Sequence, residues 1–225
     1  MKAAGQTLFA RLKAACASEW DAYVHHPFVR RLGDGSLAQE AFRHYLGQDY
    51  LFLIQFTRAY GLAVYKSDTL EDMRQAAAGM AAILDEMGVH VKYCQEWGIA
   101  PTEMASLAEA RATTAYTRYV LDRGLAGDLL DLHVALAPCV IGYAEIASGL
   151  RAEFAETMDD NPYRSWVDSY AGNQYQDVAG AQLAQLDRLM TSRGGPGRFP
   201  ALCEVFREAV RLETEFWEMG LTLAR

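Results

Sequence analysis

Residues 36–65 read SLAQEAFRHYLGQDYLFLIQFTRAYGLAVY, and the period of this stretch decides the fold class. Its apolar residues recur at steps of three and four, with no long β-branched alternation, the pattern of a helix that buries one face. Gly33-Asp34-Gly35 just before it predicts a turn. Ser36 is the expected N-cap, with Gln39 and Glu40 three and four residues on. The helix is expected to run through about Tyr65.

The same period extends outward in both directions. Leu8, Leu12, Ala15, Trp20 and Tyr23 predict a first amphipathic helix that ends before His26-Pro27. After the long second helix, residues from Asp68 to Glu96 predict a third that ends near Gly98, and Pro101-Thr102 opens the next. The fourth helix carries Thr113 to Leu121 and stops around Gly124. A fifth runs from about Asp128 to Met158, with Pro138 expected to bend it because proline lacks a backbone donor. Asp160-Asn161-Pro162 breaks the chain. A sixth helix with Trp166 and Tyr170 continues past Ala171-Gly172, Ser192 to Gly197 is the expected flexible segment, and a last helix runs from about Pro200 to Leu223. The expectation is one all-α domain, residues 1–225, built as a bundle of about seven helices.

A chain of 225 residues buries roughly 70% of the surface it exposes unfolded, so its core needs no disulfide or metal support. The net charge of -8 argues against a nucleic-acid backbone as partner. The cysteines, Cys16, Cys94, Cys139 and Cys203, form no CxxC pair and match no zinc-ligand spacing. The N-terminal MKAAGQTLFARLKAACASEW mixes charges with apolar residues and lacks a signal-peptide core. No 18-residue run is uninterruptedly apolar. The expected setting is a reducing cytoplasm, with no membrane and no nucleic acid as partner.

Two short stretches carry candidate chemistry. In Ala137-Pro138-Cys139-Val140-Ile141-Gly142-Tyr143-Ala144-Glu145-Ile146, Cys139 and Tyr143 share a helix face, four residues apart. A helical cysteine is most often a small buried apolar residue, and no basic neighbour in the local sequence marks this one as a thiolate. In Tyr45-Leu46-Gly47-Gln48-Asp49-Tyr50-Leu51-Phe52, Asp49 falls inside an apolar helical run with Phe52 a turn beyond. A carboxyl group placed there has to reach solvent or find partners in a cavity. The last helix repeats the arrangement with Glu213 and Phe216. Tyr116, Tyr143 and Tyr170 lie on three separate helices, and each buried phenol needs a hydrogen-bond partner.

Taken in order, the set His26-Pro27-Phe28-Val29, Tyr45-Leu46-Gly47-Gln48-Asp49, Pro138-Cys139 with Tyr143-Ala144-Glu145-Ile146, Asn161-Pro162-Tyr163 with Trp166 and Tyr170, and Glu213 with Phe216-Trp217 resembles the TenA (thiaminase II) family from about residue 8 to residue 222. The resemblance implies a haem-oxygenase-like helical fold, a homotetramer and no cofactor or metal. It also implies hydrolysis of aminopyrimidines, either thiamine fragments or thiamine itself, to 4-amino-5-hydroxymethyl-2-methylpyrimidine. By matched motif, Cys139 corresponds to the nucleophile, Glu213 to the acid/base group at a ring nitrogen, and Tyr143 to a residue that positions or protonates beside the thiol. Asp49 corresponds to the residue that hydrogen-bonds the exocyclic amino group and the neighbouring ring nitrogen, and Phe52, Tyr116, Tyr170 and Phe216 to the pocket walls. Position 52 is Phe where many relatives carry Tyr, and Asn173-Gln174-Tyr175-Gln176 lacks an acid often found there.

Such chemistry needs the cysteine from the fifth helix and carboxyls from the second and last to face one aromatic-lined hollow. Two other readings compete. A di-iron oxidase on the same fold requires inward carboxylates and histidines. Glu86 and His90 make half a site at most, because the five histidines (His25, His26, His44, His90 and His133) include none after residue 133, and the pair is expected to face solvent. A non-catalytic pyrimidine-binding regulator would keep the pocket but has no need of both Cys139 and Glu213.

Overall fold

The computed structural model describes residues 6–195 and 197–225, without the side chains at positions 86, 89, 101 and 105. The start of the N-terminal stretch and Pro196 of the expected flexible segment lie outside the described residues. Among the described residues there are eleven α-helices, one 3-10 turn and no strand. The all-α expectation therefore holds, with more helices than the seven that periodicity separates. The chain divides into two compact units, one formed by residues up to Leu37 together with His133–Thr214, the other by Ala38–Leu132 with Glu215–Arg225.

In the first unit, α1 (Leu8–Ala15) starts at Thr7, whose hydroxyl accepts from the Ala10 N–H at 3.2 Å. The expected single first helix is two. At Cys16 the backbone leaves helical geometry, turning the side chain inward toward the Cys203 carbonyl, and α2 (Ala17–Val24) follows. His26-Pro27 is a start as well as a stop. Pro27 takes the first position of α3 (Pro27–Gly33), where a missing N–H costs nothing, and the His26 ring nitrogen accepts from Phe28 N–H at 3.2 Å. Asn161, in the expected break, ties back to this helix, donating to the carbonyls of Leu32 and Gly33 at 3.0 and 2.7 Å.

The core of the first unit lies around α8 (Leu129–Glu153), which enters it at His133 and runs through Pro138 as one helix. Its most apolar 18-residue window is 83% buried, which makes it a core helix. Gly142 is required where it stands: a Cβ there would lie 2.5 Å from the Tyr23 ring. The hydroxyl of that ring donates to the Pro138 carbonyl at 3.3 Å. Glu145 accepts from Lys13 Nζ at 2.6 Å and from the Trp20 indole at 3.0 Å, so α1 and α2 are pinned to the same stretch of α8. A 3-10 turn (Met158–Asp160) leads to α9 (Arg164–Ala171) and α10 (Asn173–Arg193). These two helices part at Gly172, whose extended backbone caps the second of them. The unit also takes α11 (Arg198–Thr222) as far as Thr214.

The second unit is organised by α4 (Gln39–Lys66), packed on α5 (Leu70–Glu96) and α7 (Arg111–Ala126), with the short α6 (Pro101–Ser106) between them. Ser36 does not cap α4. Its N–H is held by Asp34 Oδ1 at 2.8 Å in the turn through Gly35 (φ 77°), and the residue before the helix is Ala38. Gln48 is buried and staples α4 to the start of α7. Its amide donates to the Ala108 carbonyl at 3.0 Å and accepts from Ala110 N–H and the Thr113 hydroxyl at 2.8 and 2.7 Å. That network fixes the rotation of α4, and hence the direction in which the next residue, Asp49, points.

Candidate active site

Asp49 is 4% exposed. Its Oδ2 lies 3.7 Å from Nδ1 of His90 on α5, and the other ring nitrogen of His90 is 3.2 Å from the Leu46 carbonyl. Burial drives the Asp49 carboxyl up to about 7, against the hydrogen bond from Tyr45 that favours its charged form. Cys94, one turn after His90, shares the cost. Burial and the neighbouring Asp49 charge push its thiol up to about 12. Next to this polar cluster stands an aromatic wall within the same unit. The Phe52 ring is 5.1 Å from Tyr116, 5.3 Å from Phe56 and 5.6 Å from Phe216, and Tyr45 packs on Trp217 at 5.3 Å. Such tilted and offset contacts are the arrangements that packed aromatic rings prefer.

The sign of the Asp49 shift makes a prediction about stability. Between pH 3.8 and about 7 the folded protein keeps a proton that the unfolded chain has released, so stability falls as pH rises through that interval. The span corresponds to roughly 4 kcal/mol. Urea unfolding at pH 5 and pH 8 is expected to show wild type losing a large part of this, while Asp49→Asn, with no proton to lose, stays nearly level. Parallel behaviour of the two proteins would mean that the carboxyl is not held neutral.

The first unit carries the other set. Of the four cysteines, only Cys139 is partly accessible; Cys16, Cys94 and Cys203 are buried, and burial is the largest cause raising each of those thiols. The expected nucleophile is thus the one thiol of the four that is not buried. Tyr143, a turn further along α8, packs on Tyr170 at 5.1 Å and Trp166 at 5.7 Å, and those two rings are 4.7 Å apart. Gln176, in the stretch that lacks the acid, donates to the carbonyls of Ala144 and Tyr170 at 3.1 and 2.9 Å, bracing α10 beside this wall. Glu213 is 1% exposed and lies one turn before Phe216 on α11.

The structure therefore gathers Asp49, Phe52, Tyr116 and Phe216 in one unit, and places Cys139, Tyr143, Tyr170 and Glu213 in the other. The Asp49–His90 pairing is missing from the sequence reading, which sets His90 facing solvent beside Glu86. His90 is instead buried, while the Glu86 side chain lies outside the described residues. A signal existed: Ile83, His90 and Cys94 fall seven and four residues apart, on one buried stripe of α5. Among the described residues no three or more His, Cys, Asp or Glu side chains form a group able to hold a metal. On the opposite face of α4 an open crevice of about 540 Å³ is lined by Arg43, His44, Leu223 and Arg225, among others. Arg43 and His44 are already bonded there to the carbonyls of Gly98 and Ala224.

Residues 13–223 match the model of the TENA/THI-4/PQQC family. The aminopyrimidine aminohydrolase of Halalkalibacterium halodurans is 35% identical over 204 residues, 89% of each chain. The crystal structure of a TenA family transcription regulator from Silicibacter sp. TM1040 aligns with a TM-score of 0.92 and 42% identity, covering 99% of this chain and all of that one. A Shewanella denitrificans domain with a heme oxygenase-like fold aligns at a TM-score of 0.76 with 12% identity over 96% of this chain and 92% of its own, a likeness of fold alone.

Proposed function

Because the chain belongs to the TENA/THI-4/PQQC family, we propose that it hydrolyses aminopyrimidines derived from thiamine, or thiamine itself, and releases 4-amino-5-hydroxymethyl-2-methylpyrimidine for reuse. The observation that carries this reading is the accessibility of Cys139 alone among four thiols, beside Tyr143 and its aromatic neighbours. The aminohydrolase name of the Halalkalibacterium relative supports the reaction class.

An aminopyrimidine is electron-rich and resists nucleophiles until a ring nitrogen takes a proton. Glu213 supplies that proton as a buried carboxylic acid, and the Cys139 thiolate adds to the ring. The electron pair then moves toward the exocyclic CH2 and the amine (or thiazole) leaves. Water adds to the resulting methide, Glu213 takes back the ring proton, and loss of the sulfur restores the aromatic ring. In this reading Asp49 holds the amino group, Tyr143 assists beside the thiol, and Phe52, Tyr116, Tyr170 and Phe216 are the aromatic groups that meet the flat substrate. The chain's own side chains suffice for each of these steps, so the reading invokes no cofactor.

Incubation with 4-amino-5-aminomethyl-2-methylpyrimidine and with thiamine, followed by chromatography, tests the reading directly. The hydroxymethyl product is expected from at least one of them. Inactivity on every thiamine-derived pyrimidine would overturn it. The name of the Silicibacter protein favours a second reading, a regulator that binds the pyrimidine without turning it over. Tight binding with negligible hydrolysis would select that one. We place the protein in the cytoplasm as a homotetramer. The exposed apolar side chains of Tyr65, Leu70 and Leu125 are suited to contact between copies.

A further inference from the structure

We infer that Tyr23 is a positioning residue for Cys139: it holds the α8 turn between Pro138 and Gly142 from one side, and so sets where the sulfur on the adjacent face stands. This rests on the reading of Cys139 as the nucleophile.

Pro138, Gly142 and Glu145 follow one another at steps of four and three along one stripe of α8, and Cys139 and Tyr143 form the stripe beside it. The first stripe is held by α2. The Tyr23 hydroxyl donates to the Pro138 carbonyl at 3.3 Å. The same ring lies against Gly142, where a Cβ would stand 2.5 Å from its Cε1 and 2.6 Å from its hydroxyl oxygen. Three residues earlier, the Trp20 indole donates to Glu145 at 3.0 Å. These rings are themselves fixed. Trp20 and Tyr23 meet edge to face at 5.5 Å, Trp20 stacks on Phe206 of α11 at 5.7 Å, and both are buried.

The tie falls where the helix needs one. Pro138 has no N–H to offer the Val134 carbonyl, so the turn that delivers Cys139 lacks one of its own hydrogen bonds. The Tyr23 hydroxyl holds, from the side, the carbonyl of the peptide group that leads into Cys139. Any shift of that turn carries the sulfur with it. Addition to one ring carbon is sensitive to such shifts, because the reacting atoms have to meet near contact distance and in line. Tyr23 is wholly buried and acts through the backbone, so its loss is felt in the chemical step and not in binding.

The test compares wild type with Tyr23→Phe in three measurements: single-turnover hydrolysis of the aminomethylpyrimidine or thiamine, calorimetric binding of the hydroxymethyl product, and alkylation of Cys139 by iodoacetamide. Phenylalanine keeps the ring against Gly142 and removes only the hydroxyl. The chemical step is expected to slow by roughly tenfold, with product affinity within about twofold of wild type. Alkylation is expected not to slow, because a small reagent needs no fixed approach to the thiol. Tyr163→Phe is the control. It deletes a buried phenol-to-carbonyl bond of the same kind, to Leu37, and is expected to lower the unfolding midpoint without slowing the chemical step. An undiminished rate in Tyr23→Phe, an equal loss in both variants, or alkylation slowed in proportion would overturn the inference while leaving the functional reading in place. A wild type inactive on every thiamine-derived pyrimidine would overturn the functional reading and the inference with it. Should Tyr23→Phe fail to fold, amide hydrogen exchange in wild type decides. The amides of residues 139–142 are expected to exchange as slowly as the rest of α8, and rapid exchange confined to them sinks the tie.

Discussion

Replacing Cys139 with serine is expected to lower the hydrolysis rate by on the order of 10³-fold or more while leaving pyrimidine binding nearly unchanged. Serine keeps the shape of the side chain and the helix around it. It differs in the step that matters, because a hydroxyl is far less nucleophilic than a thiolate and nothing basic in the local sequence activates it. The site should tolerate the change structurally. Cys139 is only partly buried, and serine replaces its sulfur with a single smaller atom. Single-turnover kinetics with the aminomethyl substrate, alongside a binding isotherm for the product, separate the two effects. Full activity in Cys139→Ser would remove the covalent route altogether. Loss of binding together with activity would assign the thiol to packing.

Glu213→Gln is expected to reduce kcat by roughly 10² to 10⁴, the range for losing a positioned general acid. Glutamine preserves volume and hydrogen-bonding reach but has no proton to deliver to a ring nitrogen. Glu213 is 1% exposed in a stretch where Leu212, Phe216 and Trp217 are also buried. A carboxyl so withdrawn from water costs stability when charged unless partners compensate it, and a folded chain that retains it is consistent with a task for the acid. The fold should therefore survive the amide, with an unfolding midpoint near that of wild type. A kcat within a factor of two of wild type would reassign Glu213 to structure. An effect confined to KM would make it a binding group instead of an acid.

Much of the molecule was legible from local pattern. The three-and-four spacing specified a helical chain, and the extents of α4 and α5 lie within a few residues of those expected from Ser36, Tyr65, Asp68 and Glu96. The break at Asp160-Asn161-Pro162 was visible for the same reason, since proline and asparagine act on their own neighbours. Cys139 and Tyr143 share a face by spacing alone. So do Glu213 and Phe216.

What tertiary structure decided depends on residues distant in sequence. The first helix breaks at Cys16, a position with no breaker residue, and its thiol turns to a carbonyl 187 residues away. His26 caps a further helix, α3, that starts at the same proline before which the preceding helix stops. Which thiol is reachable was invisible in four similar helical contexts, because accessibility belongs to the packing around each one. The protonation of Asp49 depends on the water that packing removes from it. Periodicity is a property of neighbours in sequence and so determines helices. Desolvation and accessibility are properties of neighbours in space, and only the folded chain brings those together.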